Sequence, residues 1–180
     1  MRASLRGASL ILAAALAAVA LCFGGATAAD TVAHSCHAIR DYVDEAFCVS
    51  RLRSVPGAAS ADRHGHLLMA ADLAAASGDP ARGAAARMAR GDPAARDALE
   101  ACGFLYGVAS VPALRLMRGY AAVRSWDAAD SLYMLARQAG GDCDAALGSS
   151  AGRTMAGANR EFDQLSTMAT MLLKTFIPSS

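Results

Sequence analysis

The chain has 180 residues, with 17 lysines and arginines against 16 aspartates and glutamates, and its net charge is +1 when the four histidines are neutral. This balance excludes the strongly basic surface that is typical of nucleic-acid-binding proteins and the polybasic patch of peripheral membrane proteins. The length is sufficient for one domain with a sizeable hydrophobic core.

The first 29 residues have the pattern of a secretory signal peptide. Two arginines precede the apolar run Leu10 to Leu21, and small residues follow up to Ala29. The alternative, an uncleaved membrane anchor, needs about 20 apolar residues, which is more than this run provides. We therefore predict a signal peptide at 1–29 and one secreted, extracellular domain at 30–177, with no membrane segment after cleavage.

Cleavage leaves four cysteines, an even number that in a secreted chain favours two disulfides over free thiols. They are Cys36, Cys48, Cys102 and Cys143. Four histidines raise the alternative of a metal site, but zinc sites usually contain cysteine pairs two to four residues apart, a spacing that this chain lacks. These histidines are His34, His37, His64 and His66. We predict that they are exposed, and that the protein holds neither a metal nor another cofactor.

Alanine dominates the mature chain, β-branched residues are sparse and no segment alternates apolar with polar residues, which predicts an all-α fold. A short helical hairpin is expected over residues 31–53, and an amphipathic helix over residues 62–77. The dipeptides Asp79-Pro80 and Asp92-Pro93 each combine a capping side chain with a residue suited to the first helical turn. Both are predicted to begin helices.

A long helix follows the second Asp-Pro pair, because apolar or small residues there recur every three or four positions. They are Leu99, Cys102, Tyr106, Ala109, Ala113, Leu116, Tyr120 and Val123. Pro112 should kink or divide this helix near Ser110, since proline lacks an N–H group. Two more stripes follow, one after Ser125 and one from Phe162 to Phe176. Four helices with short connections predict an up-down four-helix bundle after the hairpin.

Helix geometry indicates how the cysteines pair, although four cysteines allow three connectivities. Cys102 and Cys143 are equally distant from residues 122–123, close to the turn expected at Ser125. Two antiparallel helices that meet there bring both sulfurs to the same height. The remaining pair, Cys36 and Cys48, closes the hairpin, which is too short to own a hydrophobic core.

The cysteine spacing and three local segments resemble the plant pectin methylesterase and invertase inhibitor family. The segments are DPAARDALEAC, SWDAADSLYMLARQAGGDC and NREFDQL, and the resemblance extends from Cys36 to about Phe176. It implies the same pairing of first with second and third with fourth cysteine. It also implies a non-enzymatic protein of the plant cell wall that docks on a carbohydrate-processing enzyme and blocks its substrate cleft.

The resemblance leaves two targets, pectin methylesterase and acid invertase. Similar invertase inhibitors carry a lysine in the turn after the long helix, where this chain has Trp126-Asp127-Ala128. Without that cation, binding to the acidic active site of an invertase is disfavoured. Similar methylesterase inhibitors carry acidic residues around the fourth cysteine, which Asp142 and Asp144 match. The apolar run after Cys102 resembles some invertase inhibitors instead. We therefore favour pectin methylesterase, with acid invertase as the alternative.

Six residues are candidates for the target interface, each with a structural alternative. They are Phe104, Val108, Trp126, Asp127, Asp142 and Asp144. The apolar pair could belong to a wide buried face, the tryptophan could cover the end of the bundle, and the aspartates could be ordinary solvated residues. No hydrolase, metalloprotease or phosphate-binding motif occurs, so we predict that the protein is not an enzyme. Two further alternatives are a small-ligand carrier and a family fold without inhibitory activity.

Overall fold

Helices form all the regular secondary structure of the part that the computed structural model describes, which is residues 30–178 without the side chains of residues 149–154. The all-α prediction is therefore confirmed. The predicted signal peptide, residues 1–29, lies outside the described residues.

The first two helices form the predicted hairpin. Helix α1 spans Thr31–His37 and α2 spans Glu45–Arg53. An aspartate directly precedes each helix, Asp30 and Asp44 respectively, and its carboxylate accepts a hydrogen bond from the backbone N–H three residues later. Such caps satisfy N–H groups that the first helical turn leaves without partners. A disulfide joins Cys36 to Cys48, with a Cα–Cα distance of 5.7 Å. The hairpin prediction and its pairing are confirmed.

Helix α3 spans Arg63–Gly91, well beyond the predicted end at residue 77, after a short 3₁₀ turn at Ala58–Ser60. The prediction that Asp79-Pro80 begins a helix is wrong, because Pro80 lies inside α3. The Asp79 carboxylate accepts a hydrogen bond from Arg115 at 2.7 Å instead of capping a helix. The Asp92-Pro93 prediction is closer: Asp92 Oδ1 accepts two backbone N–H bonds in the turn just before α4.

The next three segments form one long helix with a change of hydrogen-bonding register. Helix α4 spans Arg96–Phe104, a π-helical segment spans Leu105–Ser110, and α5 spans Val111–Ala122. The predicted irregularity near Ser110 is confirmed. Proline at position 112 supplies no N–H group to the preceding turn, and the wider π turn accommodates this.

The π segment changes which side chains of α5 face the core. The apolar stripe predicted Leu116, Tyr120 and Val123 as buried, yet Leu116 is 55% and Val123 is 74% exposed. Residues one or two positions away are buried instead, namely Leu114, Met117 and Ala121. A π turn adds about one residue to a helical turn, so the stripe after it is rotated. The prediction for this part of the stripe is wrong for that reason.

Helix α5 ends in a Schellman motif. The N–H of Ser125 donates to the carbonyl of Tyr120, and the N–H of Arg124 donates to the carbonyl of Ala121, both at 2.9 Å. Arg124 occupies the left-handed position, with φ of 57°, where glycine is usual. The short helix α6, Trp126–Asp130, follows.

The last helical segment, α7, spans Tyr133–Lys174 and is interrupted at Gly148, which has φ of 61° and ψ of −159°. Asn159, after this break, hydrogen-bonds to Asp144, before it, so the two parts lie side by side and the chain reverses direction between them. We call residues 133–147 α7a and residues 149–174 α7b. Together with α3 and the α4–α5 helix they form the four-helix bundle, as predicted, and a disulfide joins Cys102 of α4 to Cys143 of α7a.

The core of the bundle runs along the contacts among these helices. Its largest fully buried side chains include Tyr106, Leu114, Met117, Phe162, Met168 and Leu172. Within the described residues, the run 96–122 is long and apolar enough to cross a membrane by length and composition. Core helices share this property, and here the inward side of the run packs against α3 and α7.

Candidate functional site

The second disulfide brings several predicted interface residues to one level of the bundle. Cys102 and Cys143 have a Cα–Cα distance of 4.7 Å. Phe104 on α4 lies two residues after Cys102, and Asp142 on α7a lies directly before Cys143, so both residues are near this disulfide. Phe104 and Val108 are each 61% exposed. Each lies two residues from Tyr106, which is fully buried, and two residues make about half a helical turn, so both side chains point away from it. The alternative of a wide buried face therefore does not apply to this pair.

A buried polar chain ends at the exposed residue Asp144. The Tyr106 hydroxyl donates to Asn159 Oδ1 at 2.7 Å, and Asn159 Nδ2 donates to Asp144 Oδ1 at 2.5 Å. Tyr106 and Asn159 are both fully buried, and the Tyr106 ring packs edge-on against Phe162 with centroids 5.0 Å apart. The chain of hydrogen bonds crosses the π segment, α7b and α7a.

A second carboxylate, Asp163, lies between the two arms of α7. It packs against Gly140, where an added Cβ would collide with the Asp163 carboxylate. Burial, and then the negative charge of Asp144, raise the pKa of Asp163 to about 6, although a hydrogen bond from the N–H of Gly141 opposes the shift. An open cleft of about 440 Å³ adjoins this carboxylate and is also lined by Asp142 and Arg137.

Trp126 and Asp127 lie at the other end of the long helix. Residues 102–122 alone account for about 30 Å at 1.5 Å per residue, so the structure does not bring these two residues together with those near the disulfide. The Trp126 ring is half-buried and stacks on Phe176 with centroids 4.7 Å apart, while His64 meets it edge-on at 5.6 Å. These contacts favour the packing alternative for Trp126. Asp127 is exposed.

The prediction of exposed histidines is correct for His34 and His37 and wrong for His66. His66 is fully buried, with Nδ1 2.8 Å from Ser35 Oγ and Nε2 2.8 Å from the carbonyl of Ala58. It therefore links the hairpin to the bundle. His64 is half-buried, and its Nε2 lies 2.9 Å from the carbonyl of Ala121. Within residues 30–178, no group of three or more His, Cys, Asp or Glu side chains is arranged to hold a metal ion.

The family model for plant invertase and pectin methylesterase inhibitors matches residues 30–172. The chain belongs to this family. The match confirms the resemblance drawn from the cysteine spacing, and it identifies the protein class as inhibitors rather than enzymes. The description of the family names both targets and therefore does not choose between them. A comparison with curated proteins gives no significant match.

One buried polar residue, Asn159, was not among the candidate site residues predicted from the sequence. Asn159 is the sole asparagine of the chain, and it lies four residues after Met155 and three before Phe162, both of which are buried. A polar residue at a core position of a helical stripe requires a hydrogen-bond partner. That signal was present in the sequence, whereas the partners Tyr106 and Asp144 depend on the tertiary structure.

Proposed function

We propose that the protein is a secreted inhibitor of plant pectin methylesterase, which blocks the substrate cleft of the enzyme in a stoichiometric complex. The observation that carries this choice is the pair of exposed carboxylates, Asp142 and Asp144, beside the Cys102–Cys143 disulfide. An exposed acidic contact complements a basic or hydrogen-bond-donating surface on a partner and affects both its specificity and its rate of association.

Acid invertase is the second candidate, and the exposed pair Phe104 and Val108 favours it. Their apolar run after Cys102 is the part of the sequence that is similar to some invertase inhibitors. Exposed apolar side chains of this size are common anchors in protein interfaces. Against this target, residues 126–128 contain no cation, and Trp126 packs into the end of the bundle.

We propose the apoplast as the location. Residues 1–29 have the composition of a signal peptide, and two disulfides suit an oxidising extracellular compartment. The domain would then begin near residue 30, where the family match also begins.

A carrier for a small apolar ligand is less well supported than an inhibitor. Such a carrier holds its ligand in a concave, mostly apolar site that buries most of the ligand surface. The clefts of about 440 and 610 Å³ on the described surface are open and are lined in part by charged side chains, including Arg137, Asp163 and Lys174. Between the helices, Tyr106, Met117 and Phe162 are fully buried.

A titration of the mature chain against both enzymes tests the proposal. We expect the activity of pectin methylesterase to fall in proportion to added protein, and invertase activity to remain. Inhibition of invertase alone would select the alternative, and inhibition of neither enzyme across the acid-to-neutral range would refute both.

Paired variants then show which contacts matter. Replacing Asp142 and Asp144 by asparagine should weaken inhibition of the methylesterase, and replacing Phe104 and Val108 by serine tests the apolar contact. Leu116→Ser is a matched control, because Leu116 is similarly exposed but lies on α5, beyond the π segment. We expect this control to inhibit as the wild type does.

A further inference from the structure

Three side chains from three helical segments are connected in series near the second disulfide. Tyr106 of the π segment donates to Asn159 of α7b, which donates to Asp144 of α7a. We infer that Tyr106 and Asn159 are positioning residues that hold the Asp144 carboxylate in one orientation, ready to accept a hydrogen bond from a cationic or amide group of the partner enzyme. This inference rests on the proposed function and adds to it the residues that prepare one contact.

The order of donors and acceptors fixes the orientation of the Asn159 amide. Because the Tyr106 hydroxyl donates to Oδ1, the NH₂ group must point towards Asp144. The reversed amide would place Oδ1 against a carboxylate oxygen, where neither group can donate. Burial and the nearby negative charges raise the pKa of Tyr106, so its hydroxyl keeps its proton over the whole physiological range.

Complete burial makes the series rigid at its inner end. Tyr106 and Asn159 are both inaccessible to solvent, and the Tyr106 ring packs edge-on against Phe162. A buried amide keeps its hydrogen bonds because breaking one without replacement is unfavourable. Asp144, by contrast, is exposed, so the last member of the series is available to a partner.

A carboxylate that is already oriented loses less conformational freedom when a partner binds. An exposed aspartate without such a bond samples several rotamers and must be ordered in the complex. The expected effect of removing the orientation is a loss of affinity of about three- to tenfold, the size of one hydrogen bond. Because Asp144 is also the acceptor for the buried Asn159 NH₂ group, removing it should lower stability as well, and each variant is therefore compared well below its melting temperature.

The first part of the test uses the free protein. Asn159 is the only asparagine, so labelling with ¹⁵N-asparagine gives a single side-chain NH₂ pair in an NMR spectrum. We expect this pair to exchange slowly with water in the wild type, and to shift in both Tyr106→Phe and Asp144→Ala. A pair that does not respond to Asp144→Ala would overturn the inference.

The second part is a double-mutant cycle on inhibition, measured with whichever of the two enzymes the wild-type chain inhibits. Tyr106→Phe and Asp144→Ala should each raise the inhibition constant about three- to tenfold. The double variant should be no weaker than Asp144→Ala alone, because the tyrosine acts through the aspartate. If Tyr106→Phe raises the inhibition constant by the same factor in the wild type and in Asp144→Ala, the inference is overturned.

A matched control separates positioning from general loosening of the bundle. Ser110 is fully buried in the same π segment; its hydroxyl donates to the carbonyl of Leu135 and accepts from the N–H of Ala139. We expect Ser110→Ala to lower the melting temperature, while its effect on inhibition adds to that of Asp144→Ala. If the effects of Ser110→Ala and Asp144→Ala on inhibition are coupled as strongly as those of Tyr106→Phe and Asp144→Ala, the inference is overturned.

The two levels of the proposal fail in different ways. If the wild-type chain inhibits neither enzyme, the proposed function is refuted and the inference is refuted with it. If the wild type inhibits and Asp144→Ala inhibits equally well, the inference alone is refuted, and the inhibitor function stands.

Discussion

Replacing Asp163 by asparagine should stabilise the protein at neutral pH and have little effect at acid pH. The pKa of Asp163 is raised from its ordinary value of 3.8 to about 6, mainly by burial. Folding therefore favours the protonated carboxyl group. The stability that this group contributes is fully present below about pH 4 and is lost as the pH rises through 6.

The size of the effect follows from the shift. Two pKa units correspond to about 3 kcal/mol at 1.36 kcal/mol per unit. Asp163 is only half-buried, so screening by solvent reduces this to about 1–2 kcal/mol. Asparagine has nearly the same shape and can still accept the N–H bond from Gly141. At pH 7.5 the variant should melt roughly 2–8 °C above the wild type.

Thermal unfolding of the two proteins between pH 4 and pH 8 measures the difference directly. Asp30 and Asp62 have pKa values lowered by backbone N–H bonds, so their contributions are lost as the pH falls and run opposite to that of Asp163. Comparing variant with wild type at each pH cancels them. Asp127→Asn, an exposed carboxylate outside α7, is the control. A gain in Asp163→Asn that is independent of pH, or a loss at pH 7.5, would refute the reasoning.

Three further predictions concern the backbone. Arg124 has a left-handed conformation, so Arg124→Gly should be more stable than Arg124→Ala by about 1 kcal/mol in urea unfolding; equal stabilities would contradict this. A Cβ at Gly78 would overlap Val111, so Gly78→Ala should cost about 1–3 kcal/mol. Gly103 has open space around it, and Gly103→Ala should instead stabilise by up to about 1 kcal/mol, as measured by the same unfolding curves.

The parts of the fold that follow from local rules were predictable from the sequence. Helical periodicity, alanine content and the spacing of four cysteines together predict the hairpin, the bundle and both disulfides. Errors arise where the tertiary structure overrides a local rule. Pro80 lies inside α3, although an Asp-Pro pair favours a helix start, and Asp79 pairs with Arg115 on the neighbouring helix instead of capping. On both sides of this proline α3 buries its inner face, including Ala74, Ala81 and Ala85, and such tertiary packing can outweigh the local preference.

The π segment explains the largest error in the predicted core. Periodicity counts residues at a constant 3.6 per turn, and one wider turn before Pro112 rotates all that follows. Leu116 and Val123 are exposed for this reason. The sequence predicted an irregularity at this place but not its hydrogen-bonding pattern, which determines the direction and size of the rotation.

The candidate site was predictable only in part. Phe104, Val108 and Asp142 were selected from the sequence, and the structure shows them exposed near the second disulfide. Trp126 was selected for its type and position, yet its stacking on Phe176 depends on where the C-terminal end of the chain lies. The hydrogen bond between Asn159 and Asp144 depends on the chain reversal after Gly148, and the sequence analysis did not predict a helix end at this glycine.

Active-site titration of pectin methylesterase with the purified mature protein tests the central claim most directly. At enzyme concentrations well above the dissociation constant, residual activity should fall linearly and reach its minimum at one inhibitor per enzyme. The complex should also elute from a sizing column as one species containing both chains. Full methylesterase activity at a several-fold excess of folded, disulfide-bonded protein would contradict the account.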